Sequence, residues 1–218
     1  MGNLGLGLEV ATVKTLLRSW WEAWVELLYI PLELPFLLTT EKDIIIADVN
    51  RWSEILEFPT NSPRANRRRL ISKLPEFRSL YYFRLGKGNL LGRIPVWILK
   101  RIYQGCTTLF IEHSCSIGPG LFLQHAFSTI IMADLGENCW VNQQVTIGYR
   151  DRNSRPCIGN HVRITAGAKL IGGVSIGDYV TVGANAVVVK DVPDRCVVVG
   201  IPAYIVKRNG IKVREELV

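Results

Sequence analysis

From residue 111 onward, aliphatic side chains recur every six residues, and nothing else in this 218-residue chain restricts its fold as much. Ile111, Ile117, Leu123, Leu135, Val141 and Ile147 are spaced by six or a multiple of six, with Thr129 filling the weakest rung. The spacing resumes after an interruption with Ile158, Ile164, Leu170, Ile176, Val182 and Val188. Four positions after such an aliphatic stands a small or modest apolar residue: Cys115, Cys139, Val145, Val162, Ala168, Val174, Val180 or Ala186. Glycine often follows the aliphatic directly, at Gly118, Gly136, Gly148, Gly159, Gly177 and Gly183. Each hexad supplies one short strand and one turn, and three close a triangular coil of about 18 residues. The aliphatic points inward onto its copy in the next coil, the smaller residue sits near a corner, and glycine is expected to relieve the corner backbone. Thirteen hexads from Ile111 to Val188 make about four coils, a core that one coil could not bury alone.

Residues 149 to 157 break the pattern with Arg150, Asp151, Arg152, Asn153, Ser154 and Arg155. An insertion in a solenoid projects as a loop, often on the functional side. At Val199-Gly200-Ile201-Pro202-Ala203 the chain is expected to turn out of the repeat. The division that results is a mainly helical region over 1–105, the repeat over 106–208 and a C-terminal tail over 209–218.

In the first region, residues 13 to 34 predict a helix ended by Pro31 and Pro35. Leu17, Trp20, Trp21, Trp24 and Leu28 fall on one stripe, and Arg18, Glu22 and Glu26 on the other. The aromatic stripe is expected to pack on the rest of the protein or on a sister subunit. A peripheral membrane contact is the alternative, but the polar face is mostly acidic, where a helix lying on anionic lipid usually carries Lys and Arg. A second helix is predicted over 42 to 56, with a break at Asn61, Ser62 and Pro63. Arg64, Arg67, Arg68 and Arg69 read as a solvated helix face; without interleaved aromatics they do not point to nucleic acid. Mixed helical patterning over 75 to 103 includes Phe77, Leu80, Tyr81 and Leu85.

Hydrophobic residues make up 48% and charged residues 21%, which places the chain among globular proteins. The net charge of +7 favours an anionic partner, and a phosphate-bearing cofactor satisfies it. Five cysteines with no CxxC pair argue against a disulfide framework or a zinc site and fit free thiols in a reducing cytoplasm. No secretory signal is read, and the apolar stretch over 16 to 38 is interrupted by Arg18, Glu22, Glu26 and Glu33, so no membrane span is expected. The expected location is cytoplasmic, with membrane association left open by the Trp-rich helix.

Several segments together carry a resemblance: Gly120-Leu121-Phe122-Leu123-Gln124-His125-Ala126, Asn142-Gln143-Gln144-Val145-Thr146-Ile147-Gly148, Ile164-Thr165-Ala166-Gly167-Ala168, Val182-Gly183-Ala184-Asn185-Ala186 and Gly200-Ile201-Pro202-Ala203-Tyr204. Over residues 106 to 208 the chain resembles the hexapeptide-repeat acyltransferases, and within them the serine acetyltransferase family. That resemblance implies a left-handed parallel β-helix, a homotrimer, and an acetyl-CoA cleft between neighbouring subunits. It makes the expected function acetyl transfer from acetyl-CoA to a hydroxyl of serine or of a sugar. The expected fold class is α+β, a helical N-terminal region followed by a left-handed parallel β-helix.

Acetylating an alcohol needs a group that takes the hydroxyl proton as attack occurs, and a histidine near neutral pKa can do so. By its place in Leu123-Gln124-His125-Ala126, His125 matches the family's catalytic histidine. Gln143 lies eighteen residues later and is expected one coil away on the same face, where it could orient the imidazole or an acceptor hydroxyl. The chain departs from the family at four positions. Gln124 stands where an Asp precedes the catalytic histidine, and Phe110 where a second Asp orients it. Arg155 stands where the family has a second active-site histidine, and Ser154 where an Arg helps to hold the serine carboxylate. Gln124, Gln143 and Arg155 are therefore the acceptor-binding candidates, Arg155 for an anionic acceptor or the oxyanion. These departures put serine as acceptor in doubt and fit a relative acting on a sugar hydroxyl.

For the donor, Ala166, Gly167 and Ala168 resemble the segment along which the pantetheine arm passes, and Gly183 and Ala184 repeat that lining one coil on. Lys190, Lys207 and Arg208 are candidates for the nucleotide phosphates. Cys115 and Cys139 occupy inward positions, so direct transfer is expected rather than an acyl-enzyme. Two rivals remain. A metal site like that of the γ-class carbonic anhydrases needs three histidines together, whereas His113 and His125, twelve apart, should lie on different faces, so no metal is expected. A non-catalytic scaffold is the other.

Overall fold

The computed structural model describes residues 17, 20, 21, 24, 25, 27–58, 62–152 and 154–217. Between residue 30 and the repeat lie α1 (Glu33–Leu38), α2 (Lys42–Ile55), α3 (Pro63–Lys73), α4 (Pro75–Lys87) and α5 (Leu90–Ile102). The second helix forms where the sequence predicts it, and its buried residues Ile45, Asp48, Val49 and Trp52 make one stripe at i, i+3, i+4 and i+7. Ser62 caps α3 by accepting from the Ala65 N–H at 3.4 Å, with Pro63 in the first turn, where no intrahelical donor is needed. On α4 the predicted apolar residues Phe77, Leu80, Tyr81 and Leu85 are all buried.

Three expectations for this region need correction. Pro31 and Pro35 do not end the helical structure: a 3-10 turn spans Ile30–Leu32, and Pro35 sits in the first turn of α1, where its missing N–H costs nothing. The arginine cluster is not a solvated face. Arg67 is buried, holds Glu33 through contacts of 2.5 and 3.2 Å, and lies 3.6 Å over the Phe36 ring; Arg69 lies over Phe58, and only Arg64 of the four is exposed. Finally, Leu17, Trp20, Trp21, Trp24 and Leu28 are helical but 62–71% exposed, so of the two expected partners, the rest of the protein and a sister subunit, the first does not cover the stripe among the described residues. Arg18, Glu22 and Glu26 lie outside the described residues.

The repeat begins with β1 (Leu109–Ile111), β2 (Phe122–Leu123), β3 (Thr129–Ile131), β4 (Asp134–Leu135), β5 (Trp140–Val141) and β6 (Thr146–Gly148). It continues through β7 (Cys157–Ile158), β8 (Arg163–Ile164), β9 (Lys169–Ile171), β10 (Ser175–Ile176), β11 (Thr181–Val182), β12 (Val187–Val188) and β13 (Cys196–Val199). The chain visits three parallel sheets in rotation. The first is β1-β3-β6-β9-β12, the second is β4-β7-β10, and the third begins β2-β5-β8-β11-β13. Leu123 pairs with Val141, Ile164 with Val182 and Ile158 with Ile176, so an undisturbed coil takes eighteen residues. The third sheet is extended by β14 (Tyr204–Arg208) and β15 (Ile211–Glu216), both antiparallel, the latter lying in the C-terminal tail.

The inward aliphatics and the smaller residues at the second inward position are buried from Cys115 to Val188, Cys139 among them. Thr129 is the exception. It does not take the aliphatic rung: Ile131 pairs with both Ile111 and Ile147 and fills that column. Thr129, fully buried two residues earlier, occupies the small-residue column with Val145, Ala168 and Ala186. The step from Leu123 to Ile131 is thus eight residues and the next, to Leu135, only four. The surplus lies in the turn that carries His125, and the following turn gives it back.

Glycine after the aliphatic has a different cause from the one expected. The left-handed corner conformation falls mostly to other residues, among them Asn138, His161, Tyr179 and Arg195. Gly118, Gly136, Gly159 and Gly177 are needed because the next coil passes too close. A Cβ on Gly136 would stand 2.7 Å from the Gly159 carbonyl carbon, and one on Gly177 would stand 2.6 Å from the Asp194 nitrogen. Gly177→Ala is therefore expected to cost about 1–3 kcal/mol, the usual penalty of forced overpacking, read as a lowered urea midpoint; an unchanged midpoint would mean that the coils separate freely.

The helices are bolted to the first coil by buried polar contacts. The Trp52 indole N–H donates to the Leu121 carbonyl at 2.7 Å, and its ring packs on Phe77 and Phe122. Arg84 grips Asp48 at 2.8 and 3.2 Å and also donates to the Ile117 and Gly118 carbonyls. Asp48 accepts in turn from the Gly120 N–H at 2.7 Å. Burial pushes the Asp48 carboxyl up, against the pull of Arg84 and of the Gly120 and Leu121 backbone.

Candidate active site

Each coil has three edges, and the sequence-predicted residues divide among them. His125 follows β2 and precedes β3, on the edge between the third and first sheets. It is exposed and adopts the left-handed conformation with φ 50°. Gln143 follows β5 at the same edge, two residues past Val141 as His125 is two past the paired Leu123. Ala166 and Gly167, between β8 and β9, continue the edge, and so do Gly183 and Ala184, between β11 and β12. The register thus stacks His125, Gln143, Ala166 and Ala184 on successive coils of one edge.

Small residues on this edge have separate causes. A Cβ on Gly167 would lie 2.0 Å from the Asn185 side-chain oxygen, and one on Gly183 would lie 2.7 Å from Val199. Ala184 is exposed, and Ala166 is half-buried. Ala168 does not belong to this surface. It is fully buried in the core, its N–H donates to the Thr165 carbonyl and its carbonyl accepts from the Thr146 N–H.

Beside His125 a cavity of about 310 Å³ opens between α2 and the third sheet, lined among others by Trp52, Glu76, Gln124, His125 and Trp140. The Gln124 side-chain oxygen accepts from the Trp140 indole N–H at 3.1 Å and from the Asn142 amide at 3.3 Å, which leaves the Gln124 NH2 as a donor. The side-chain oxygens of Gln143 and Asn142 are buried with no hydrogen-bond partner among the described residues. Buried acceptors of this kind are rare in folded proteins and call for an explanation, a ligand donor being one. Of these residues, sequence reasoning missed Asn142, Trp140, Glu76 and Trp52. The first two had a readable signal in their place one coil beyond Gln124 and Phe122.

Arg155 is elsewhere. The insertion leaves β6 and enters β7, on the edge between the first and second sheets, and the Arg155 guanidinium holds both oxygens of Asp134 at 2.7 and 2.8 Å and the Ser114 hydroxyl at 3.1 Å. Ser154 is tied to Asp151. Lys190 lies on that edge too, where its ammonium donates to the Leu217 carbonyl at 2.9 Å. Arg208 pairs with Glu215 at 2.5 Å, while Lys207 on β14 is exposed. Phe110 is exposed on β1, paired with Ile130 in the first sheet. The three histidines occupy three different edges: His113 follows β1, and His161 precedes β8, stacked on Tyr179 at 4.7 Å.

Parallel strands that rotate through three sheets on a hexad period make this a hexapeptide-repeat protein, with one histidine on an edge lined by small residues. No family model matches the chain. A serine acetyltransferase from Synechococcus elongatus is 34% identical over 146 residues, 64% of this chain and 60% of that protein. Among solved structures, the soybean serine acetyltransferase apoenzyme superposes with a TM-score of 0.62 at 27% identity, covering 77% of this chain and 69% of that one. The serine acetyltransferase of Neisseria gonorrhoeae in complex with serine gives 0.60 at 25% identity, covering 77% and 69%. In sequence and in fold the chain resembles the serine acetyltransferase-like hexapeptide-repeat acyltransferases. It spans about 60% of the length of the Synechococcus relative.

Proposed function

We propose that this protein is an acetyl-CoA-dependent O-acetyltransferase that passes the acetyl group directly to a hydroxyl, with His125 as general base. The observation that carries the reading is the single edge on which His125, Gln143, Ala166 and Ala184 stack, with a cavity at the histidine and an orphaned buried acceptor beside it. L-Serine is the first acceptor to test, because the relatives are serine acetyltransferases and one was solved with serine bound. By the same resemblance we infer that the coil is a left-handed β-helix, that the protein is a homotrimer, and that a neighbouring subunit faces this edge.

His125 takes the proton of the acceptor hydroxyl as its oxygen attacks the thioester carbonyl. The tetrahedral intermediate collapses, the carbon–sulfur bond breaks, and the CoA thiolate takes the proton back from the imidazolium. Gln124 offers its NH2 to the acceptor, and the Gln143 oxygen accepts from it or from a pantetheine amide. Ala166, Gly167, Gly183 and Ala184 leave room for the pantetheine arm along the backbone. Ala168 acts only from inside the core. Lys207 is the cation left for the nucleotide phosphates, since Lys190 and Arg208 are engaged. Arg155 positions the loop through Asp134 rather than meeting the acceptor. A covalent acyl-enzyme at Cys115, Cys139 or Cys196 is disfavoured because burial pushes the Cys139 thiol up to about 11 and raises the other two as well.

A sugar hydroxyl is the second reading. It is favoured by the aromatic wall of the cavity, Trp52 and Trp140, and by the pairing of Arg155 with Asp134, which takes that guanidinium away from a serine carboxylate. The test is thiol release from acetyl-CoA by the purified protein with L-serine and with a panel of sugars and nucleotide sugars. Release that depends on one acceptor establishes the reaction and names the substrate; binding of acetyl-CoA without release on any of them favours a scaffold. For the donor edge, Ala184→Trp is expected to raise the acetyl-CoA KM about tenfold or more, a loss near 1.4 kcal/mol, at an unchanged melting temperature. An unchanged KM would place the donor elsewhere.

A further inference from the structure

Helix α5 presents an apolar face that nothing among the described residues covers. Leu90, Leu91, Ile94, Trp97, Ile98 and Ile102 are 54–71% exposed, while Gly92 and Val96 on the opposite side are buried. The inward side is fixed closely: a Cβ on Gly92 would lie 3.0 Å from the Thr39 Cα at the end of α1. Leu34 and Leu37 of α1, which packs against α5, are exposed beside it. At the other end, the Tyr103 hydroxyl donates to the Leu28 carbonyl at 2.7 Å, so the exposed Trp20, Trp21 and Trp24 belong to a helical segment that ends against α5.

The charges beside this face select its occupant. Within Leu90–Ile102 stand Arg93, Lys100 and Arg101 and no acidic residue, and among the described residues none of the three cations has a carboxylate partner. Arg101 lies 5.4 Å over the Trp97 ring, which puts an aromatic and a cation at the same level of the helix. A second copy of the same face would set cations against cations, whereas an anionic surface matches them. No helix among the described residues is long and apolar enough to cross a membrane. A wide apolar stripe of Leu, Ile and Trp flanked by Arg and Lys is the pattern of a helix that lies in the plane of a lipid surface.

We propose that α5, with the adjoining exposed residues of α1, docks this protein flat on an anionic lipid membrane. The inference is independent of the acetyltransferase reading, because it uses none of the residues on the His125 edge. The test is co-sedimentation of the purified full chain with vesicles of phosphatidylcholine and phosphatidylserine, and with vesicles of phosphatidylcholine alone. Wild-type protein is expected to bind the mixed vesicles, to release as salt rises, and to bind the neutral ones weakly. Ile94→Glu with Trp97→Glu should abolish binding. Arg93→Gln with Arg101→Gln should weaken it roughly fivefold per cation removed. Melting curves and particle size without vesicles check that the variants remain folded. Absence of binding to the mixed vesicles, or equal binding by wild type and both variants, overturns the proposal. So does a wild-type assembly that shrinks in the Ile94→Glu, Trp97→Glu variant without any vesicle binding, which would assign the face to a second copy.

Discussion

His125→Ala is expected to lower acceptor-dependent release of CoA by at least about 100-fold, the typical worth of a general base, while acetyl-CoA affinity and the unfolding midpoint stay at their wild-type values. The two invariances follow from position. His125 is exposed in a turn, and its backbone, not its ring, makes the short hydrogen bond there, accepting from the Phe127 N–H at 2.6 Å. The residues proposed to line the donor begin at Ala166, two coils away on the same edge. A loss in kcat with KM for acetyl-CoA unchanged is the signature of a group that acts in the transition state only. Wild-type turnover in the variant would remove His125 from the mechanism, and a lost midpoint would recast it as a corner residue.

The largest effect on stability is expected at Arg84. Arg84→Met leaves Asp48, itself 1% exposed, without its cation and strips two carbonyls of the first coil of their donor. Breaking a buried pair from one side costs about 3–5 kcal/mol. Urea unfolding should show this as a large drop in midpoint. Asp48→Leu combined with Arg84→Met should recover much of it, because no charge is then stranded. A cost below about 1 kcal/mol for Arg84→Met, the range of a solvated pair, would mean that water reaches Asp48 and that the helices and the coil are not joined there.

The repeat was legible because the hexad period is a consequence of register: each aliphatic must meet its copy one coil on. The same regularity hid the error at Thr129. Eight residues from Leu123 to Ile131 and four from there to Leu135 sum to the same twelve as two ordinary hexads, so the sequence shows no break where the structure has a larger turn. The buried ion pairs of the helical half were not read, since Asp48 meets Arg84 thirty-six residues away and Glu33 meets Arg67 thirty-four away. Asp48 did leave a trace, an acid inside the apolar stripe of Ile45, Val49 and Trp52. His125 and Gln124 were recognisable only from their place in the motif, and Gln143 from coil spacing; that Gln124 answers to Trp140 and Asn142 emerged only from side-chain geometry.

The surplus at the His125 turn, returned four residues later, means that length and phase are separate quantities in this architecture. One edge can be enlarged, as it is here by two residues, or by the five extra between Ile147 and Ile158, while the three columns of the core stay aligned. Insertions and deletions, ordinarily the most damaging of mutations, become in such a chain a means of changing what a single edge recognises without renegotiating the fold.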